Sequence, residues 1–208
     1  MNWFDKIVLL ATGLVAIYLI VLFIQDYRGK ATKAVHNIYY IISFAVLLVS
    51  GLLLIIFGWG ALGNPLVAVV ATLIPLGLSM GLVAQFYEKQ AKAYLVFALI
   101  GLVVIAVTRF TSVGAGFAVV IYALVHAVAG ILIILIPILA TKDKKAPGGF
   151  IMVTVGGVLI SVGGIALALL KAGTPILSAG TILTILAPLL LLMALAYAWG
   201  FTKKVKAA

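Results

Sequence analysis

His126 is the residue whose type and position could support binding chemistry. It lies near the middle of the apolar segment Ala115–Ala140, with Tyr122 one helical turn before it and Gly130 one turn after it. If that segment crosses a bilayer, the imidazole must bond to another protein group or ligate something, because lipid offers it no partner. Two interpretations follow: an axial haem ligand with His36 as its mate, or a neutral imidazole bonded to a serine, a tyrosine or a carbonyl.

Depth in the membrane tests the haem hypothesis. His36 follows Lys33 by three residues, whereas His126 precedes Lys142 by sixteen. If both lysines mark the same membrane face, the imidazoles differ in depth by roughly 20 Å at about 1.5 Å per helical residue. The two axial ligands of one haem share a depth, so no cofactor is predicted. A haem held by His126 alone stays an open alternative.

Four more polar residues are predicted near the middle of apolar segments: Tyr18, Ser50, Ser79 and Ser161. If their helices turn these side chains inward together with Tyr122 and His126, the six residues form a small, weakly polar ligand pocket. The alternative is that each serine bonds to its own backbone or to a neighbouring helix, an interaction worth about 0.6 kcal/mol.

The acidic residues argue against catalysis. All four, Asp5, Asp26, Glu88 and Asp143, lie at segment boundaries or in loops. No carboxylate is placed to relay protons or to bind a coupling cation within a membrane, which argues against an ion-coupled transporter. The sequence contains no cysteine, nucleophile–base set, phosphate loop or metal-spaced cluster. It therefore predicts a protein without enzymatic activity and without a metal site.

Apolar segments must position these residues. Of the 208 residues, 66% are hydrophobic and 9% are charged, which is more apolar surface than a soluble domain could cover. Seven runs are long enough to cross a bilayer: Ile7–Ile24, Val35–Phe57, Pro65–Tyr87, Ala91–Thr108, Ala115–Ala140, Phe150–Leu170 and Ile176–Gly200. The sequence predicts an all-α integral membrane protein, a seven-transmembrane-helix bundle in which residues 1–208 form a single membrane domain.

Basic residues are distributed unevenly among the hydrophilic connections. Lys6, Arg109 and Lys171 fall on one side, and the positive-inside bias makes the other, richer side cytoplasmic. This places the N-terminus outside and the C-terminus in the cytoplasm of a multi-pass cell-membrane protein. The basic residues behind the net charge of +10 then orient the chain and contact anionic lipid headgroups. No nucleic-acid partner is predicted. The rich side holds Arg28, Lys30, Lys33, Lys89, Lys92, Lys142, Lys144, Lys145, Lys203, Lys204 and Lys206.

Glycine pairs recur in the third and sixth segments. Such faces let helices approach closely where the hydrophobic effect cannot drive association. Both segments are therefore predicted at tight interfaces, with helices of this chain or with another subunit. The predicted packing residues are Gly77, Gly81, Gly156, Gly157, Gly163 and Gly164.

Prolines mark predicted breaks and starts. Pro75, Pro137 and Pro188 lie inside apolar segments, where a missing N–H interrupts the helical ladder, and they are predicted hinges. Asn64–Pro65 and Thr174–Pro175 pair a capping side chain with a proline at the first helical position, so both predict the start of a span.

The chain contains a candidate internal duplication. Gly13 and Asp26 of the first segment align with Gly130 and Asp143 of the fifth. The alignment continues in order, with Leu48-Val49-Ser50 over Leu159-Ile160-Ser161 and Pro75-Leu76 over Pro188-Leu189. It predicts repeat units 1–90 and 111–208, joined by the fourth helix 91–110 in a 3+1+3 arrangement.

This arrangement, with an outer N-terminus, resembles the topology of the SWEET sugar facilitators and of the opsins. The lysine through which opsins hold retinal has no counterpart in Ile176–Gly200. The proline–glutamine pair of the facilitators' relatives is also absent from the first segment of each unit. The resemblance therefore covers topology and supplies no functional residue.

Three functions compete. The first is a non-catalytic structural or accessory subunit of a larger membrane complex, with lipids and other membrane subunits or its own copies as partners. The second is a facilitator or receptor for a small neutral or apolar molecule, with a midplane pocket around His126. The third is a haem-binding electron-transfer subunit. They rank in that order because a water-lined path usually has more polar residues than this chain offers.

Overall fold

The computed structural model describes residues 1–29, 34–111, 114–171 and 176–207. Within these ranges every regular element is an α-helix or a 3-10 helix. Seven helical spans are long and apolar enough to cross a membrane. By length and composition, this is an all-helical, multi-pass membrane protein.

The helices of the first and fourth spans extend beyond the predicted apolar runs at both ends, and those of the fifth, sixth and seventh spans extend beyond them at the C-terminal end. Hydropathy counts only the apolar part, whereas backbone hydrogen bonds continue into the polar ends. The 3-10 helices Trp59–Gly63 and Gly148–Ile151 precede α3 and α7. The α-helices are α1 (Trp3–Gly29), α2 (His36–Phe57), α3 (Pro65–Ala71), α4 (Leu73–Phe86), α5 (Glu88–Phe110), α6 (Ala115–Lys142), α7 (Met152–Lys171) and α8 (Ala179–Lys206).

The third span is interrupted, being formed by α3 and α4 with Thr72 between them. Pro75 lies in the first turn of α4, where it has no N–H to donate to Ala71, so the interruption falls one turn before the proline. Pro137 and Pro188, also predicted hinges, lie inside the continuous helices α6 and α8. The three prolines thus have different local effects.

Helix starts follow capping side chains. The Asn64 Oδ1 accepts a hydrogen bond from the Leu66 N–H at 2.9 Å, with Pro65 at the first helical position, as predicted. The seventh span was predicted to start at Ile176, but its helix begins at Ala179. Ser178 caps it, since its hydroxyl oxygen accepts from the Thr181 N–H at 3.1 Å. The predicted start at Thr174–Pro175 and the basic residues Lys30 and Lys33 lie outside the described ranges.

Six of the seven spans form a closed ring. In order, α1 packs on α2, α2 on α4, α4 on α6, α6 on α7, α7 on α8, and α8 on α1. The fourth span, α5, lies outside this ring against α3, α4 and α6. Residues on the inner faces of the six ring helices are therefore the ones that meet in the centre of the protein.

Close approach between ring helices occurs at five of the six predicted packing glycines. A methyl group at Gly81 would overlap the Tyr40 ring, and one at Gly156 would lie 2.5 Å from the Tyr197 ring. Gly164 differs from the other five, because a methyl group there would meet nothing within 4 Å. The remaining contacts are Gly77 with Ser43, Gly157 with Ile133, and Gly163 with Leu189.

Candidate functional site

His126 bonds to its own helix. Its Nδ1 lies 2.9 Å from the carbonyl oxygen of Tyr122, so this nitrogen donates to the carbonyl. The imidazole also stacks on the Tyr122 ring, with 3.9 Å between centroids. The Arg109 guanidinium carbon lies 4.9 Å from the centre of the same ring, which extends the stack to α5. In the neutral ring this leaves Nε2 as the nitrogen able to accept a hydrogen bond or to ligate.

Two predicted pocket residues are engaged elsewhere in the bundle. Ser79 of α4 is fully buried, and its hydroxyl lies 2.6 Å from the Tyr94 hydroxyl of α5. Tyr18 of α1 is 45% exposed, and its hydroxyl lies 2.8 Å from the Thr202 hydroxyl of α8. These hydroxyls therefore link neighbouring helices at the α4–α5 and α1–α8 contacts.

The remaining predicted pocket residues lie on α2 and α7. Ser50 is half-buried on α2. Ser161 donates to the Gly157 carbonyl oxygen at 2.7 Å, and its hydroxyl faces Gly130 of α6. Gly130 lies one turn beyond His126, so Ser161 is the predicted serine that the structure places against the helix of His126.

The two histidines lie on different helices. His36 is the first residue of α2 and sits edge-on to Tyr40, with 6.0 Å between ring centroids. His126 is near the middle of α6. Across the described ranges, histidine and acidic side chains form no group of three or more that could hold a metal ion.

Aromatic side chains fill the interior of the ring at one end, and we call this set the aromatic plug. Phe201 is central, with ring centroids 4.8 Å from Tyr40, 5.1 Å from Phe23 and 5.7 Å from Phe150. Aromatic pairs at such distances contribute about 0.5–1.5 kcal/mol beyond the burial of their area. The members, from α1, α2, α4, the second 3-10 helix and α8, are Phe23, Tyr40, Phe44, Phe86, Phe150, Tyr197 and Phe201.

Polar groups close the same end of the ring. The Asn37 amide donates to the Asp26 carboxylate at 2.7 Å, which ties α2 to α1. The Tyr40 hydroxyl donates to the Gln85 side-chain oxygen at 2.9 Å, which ties α2 to α4. We call these four residues the polar cap. Together with Lys204 they line a cavity of about 10 Å³, which has room for about one water molecule.

Sequence reasoning missed the polar cap. Asp26 was assigned to a hydrophilic boundary, where a carboxylate is ordinarily solvated. A usable signal was present at the start of the second segment, where Asn37, Tyr40 and Phe44 recur at helical spacing and so share one face. That face points into the ring, since all three side chains are buried.

Comparison of the chain with protein-family models, with curated proteins and with solved structures found no match. The described residues present a packed ring interior, polar groups that join helices at one end, and an imidazole held by its own backbone.

Proposed function

We propose that this chain is a non-catalytic structural or accessory subunit of a larger complex in the cell membrane, oriented with its N-terminus outside and its C-terminus in the cytoplasm. The observation that carries the proposal is the aromatic plug. It fills the ring where a conduit needs a lumen, and close-packed interiors are rigid. Rigidity suits a part that holds other subunits in place.

A partner helix fits best against α7. Membrane helices associate through small residues that let backbones approach. Gly163 already packs on Leu189 of α8, whereas its neighbour Gly164 is exposed and open. The partner is another membrane subunit or a second copy of this chain, with lipid covering the rest of the apolar surface.

Mass measurement after gentle extraction tests the proposal. We expect native mass spectrometry to find the chain in an assembly of fixed composition heavier than its own 21.8 kDa. Gly164→Leu should release the lone chain, because the added side chain occupies the space of the partner helix. Gly51→Leu on α2 is the matched control, since a methyl group there also meets nothing within 4 Å. A stable lone monomer from native membranes contradicts the proposal.

The order of the helices in the ring favours the predicted duplication, and the duplication in turn favours a second function. Under the duplication, α1, α2 and α4 correspond to α6, α7 and α8. Each contact between neighbouring ring helices then has a counterpart: α1–α2 in α6–α7, α2–α4 in α7–α8, and α4–α6 in α8–α1. Gly13 of α1 approaches Leu48 of α2, and its counterpart Gly130 of α6 approaches Ser161 of α7, two residues beyond the counterpart of Leu48. These correspondences support two three-helix units joined by α5.

A duplicated ring suits a facilitator or receptor for a small neutral or apolar molecule, in which the plug must move. Proteoliposome uptake of a neutral solute such as glycerol distinguishes the two functions. Uptake above that of protein-free vesicles, lost in the double variant His126→Ala with Tyr122→Phe, favours the facilitator. Uptake equal to that of protein-free vesicles agrees with a structural subunit.

A further inference from the structure

Arg109 and Tyr122 meet where α5 ends and α6 begins. The guanidinium carbon lies 4.9 Å from the centre of the Tyr122 ring. Helical side chains lean toward the N-terminus of their own helix. Arg109, in the last turn of α5, therefore leans back along α5, whereas Tyr122 leans toward the start of α6. The two side chains converge from opposite directions, and we call them the arginine–tyrosine pair.

The acidic residues of the chain lie far from this guanidinium. Asp5 is on α1, whose neighbours in the ring are α2 and α8. Glu88 is at the opposite end of α5, and Asp143 follows the far end of α6. Asp26 belongs to the polar cap, which lies at the same end of the ring as Asp143. Among the described residues the guanidinium therefore has no ion-pair partner.

Tight packing fixes the pair in place. A methyl group at Gly101 would lie 2.8 Å from the Val125 side chain, so α5 and α6 are in close contact about two turns from the end of α5. The His126 imidazole stacks on the Tyr122 ring and donates to the Tyr122 carbonyl oxygen at 2.9 Å. The tyrosine ring thus contacts both an imidazole and a guanidinium, and little ordering is needed when a ligand binds.

Both members of the pair have hydrogen-bonding capacity left. A guanidinium carries five N–H donors, and those of Arg109 donate to no described residue. The Tyr122 hydroxyl also forms no hydrogen bond within the described residues, and its oxygen is not fully buried. Polar groups without partners are costly in a membrane. A ligand that accepts hydrogen bonds here therefore stabilises the protein.

The depth of the pair suits a lipid headgroup. Tyr122 lies roughly 10 Å from the start of α6 at about 1.5 Å per residue, and its hydroxyl leans back toward that start. If the start of α6 marks the edge of the hydrocarbon region, the hydroxyl is within reach of lipid phosphates. Leu99 of α5 and Val119 of α6 are exposed by 53% and 63%. Both helices thus offer apolar surface to acyl chains.

We propose that the arginine–tyrosine pair binds the phosphate of an anionic phospholipid, whose acyl chains lie along α5 and α6. The guanidinium donates charge-assisted hydrogen bonds to the phosphate oxygens. The Tyr122 hydroxyl donates one more. The occupant is a lipid because both helices are apolar and long enough to span a membrane. The site requires neither function proposed above, since one chain forms it and its occupant does not cross the ring.

Native mass spectrometry of the purified full chain with added dioleoylphosphatidylglycerol tests the site. Arg109→Gln should weaken the binding of one lipid per chain at least about tenfold, the loss expected for hydrogen bonds to a charged group. Lys6→Gln is the matched control, because the Lys6 ammonium also contacts an aromatic ring, 5.4 Å from the centre of Trp3. We expect this control to change the affinity less than about twofold. Basic residues elsewhere attract the same lipid in every variant, so the difference from the parent chain is the measured quantity.

The hydroxyl is tested without a change of charge. Tyr122→Phe keeps the aromatic ring and should weaken retention of the lipid about fivefold, the loss expected for one hydrogen bond. Dioleoylglycerol has the same acyl chains and no phosphate, so its retention should be equal in Arg109→Gln and the parent. Circular dichroism checks the helix content of each variant. If Arg109→Gln loses helix, Tyr122→Phe decides, since it removes a single hydroxyl.

The variants separate a built site from general attraction. Loss of phosphatidylglycerol in Arg109→Gln and Tyr122→Phe, with retention in Lys6→Gln, supports the proposal. Equal loss in Arg109→Gln and Lys6→Gln would show that the net positive charge of the chain attracts the lipid, and would overturn it. Unchanged retention in Arg109→Gln, or an equal loss of dioleoylglycerol, also overturns it.

Discussion

At the residue scale, two buried tyrosines pack against glycines of neighbouring helices. Tyr40 of α2 lies on Gly81 of α4, and Tyr197 of α8 lies on Gly156 of α7. Each contact sets a large aromatic side chain against a glycine. The two helix backbones therefore approach closely, while the aromatic side chain fills the interior of the bundle. Both tyrosines belong to the aromatic plug, and the plug therefore depends on these two glycines.

Adding one methyl group at either glycine should destabilise the protein. We expect Gly81→Ala and Gly156→Ala each to lower the free energy of unfolding by about 1–3 kcal/mol, because a buried ring must move in a packed core. Unfolding by sodium dodecyl sulfate in mixed micelles, followed by circular dichroism, measures the change.

Gly51→Ala is the control for this effect, since a methyl group there meets nothing within 4 Å. Its free energy of unfolding should stay within about 0.5 kcal/mol of the parent. Equal losses in all three variants would show that helix flexibility, and not contact with the tyrosine rings, sets the stability.

His126 illustrates what could be predicted about single residues. Its need for an internal partner follows from its chemistry, and a backbone carbonyl was among the expected partners. The Tyr122 carbonyl lies one turn away on the same helix, so spacing alone could identify it. The partner of Ser79 could not be predicted from the sequence, because Tyr94 lies on another helix and the pairing depends on how α4 and α5 are rotated about their axes.

At the element scale, the number of spans was predictable, and Pro75 was a predicted break, but the exact place of the interruption was not predictable. Length and hydropathy indicate each crossing because the bilayer has a fixed thickness. The 3-10 helix Trp59–Gly63 and the interruption at Thr72 depend on local backbone bonding that hydropathy does not record. The order of helices in the ring was also beyond prediction, since segments that are apolar all round do not reveal which face is buried.

The interruption between α3 and α4 should depend on Pro75. In Pro75→Ala, residue 75 regains an N–H that can donate to the Ala71 carbonyl, so the two helices should join. Hydrogen–deuterium exchange of peptides covering residues 68–78 should slow about tenfold. Pro137→Ala, in the continuous helix α6, should leave exchange of those peptides unchanged.

Unchanged exchange in Pro75→Ala would assign the interruption to Thr72 instead. The Thr72 hydroxyl donates to the Ala68 carbonyl oxygen at 2.9 Å. A threonine that bonds in this way competes with the backbone ladder and can bend a helix. The experiment therefore decides between two adjacent causes.

At the scale of the whole molecule, the polar cap and the loop that follows α6 lie at the same end of the ring. Lys204 lines the cavity of the polar cap and also lies beside the loop residues Lys144 and Lys145, so the cap and this loop share an end. The aromatic plug lies directly beneath, because Tyr40 belongs to both the plug and the cap. If the positive-inside bias orients the chain, this end faces the cytoplasm.

Cysteine labelling tests that orientation, and the chain suits it because it contains no cysteine of its own. Gly60→Cys and Thr111→Cys lie on the predicted outer side and should react with an impermeant maleimide in intact cells. Gly29→Cys and Ala207→Cys lie on the predicted cytoplasmic side and should react after permeabilisation. All four positions are exposed, so accessibility to the reagent is matched.

The pattern of labelling separates two errors. If Gly29→Cys and Gly60→Cys react from the same side, α2 does not cross the membrane and the seven-span arrangement fails. If the sides are exchanged for all four positions, the spans cross but the orientation is inverted. In that case the polar cap and the loop that follows α6 face outward.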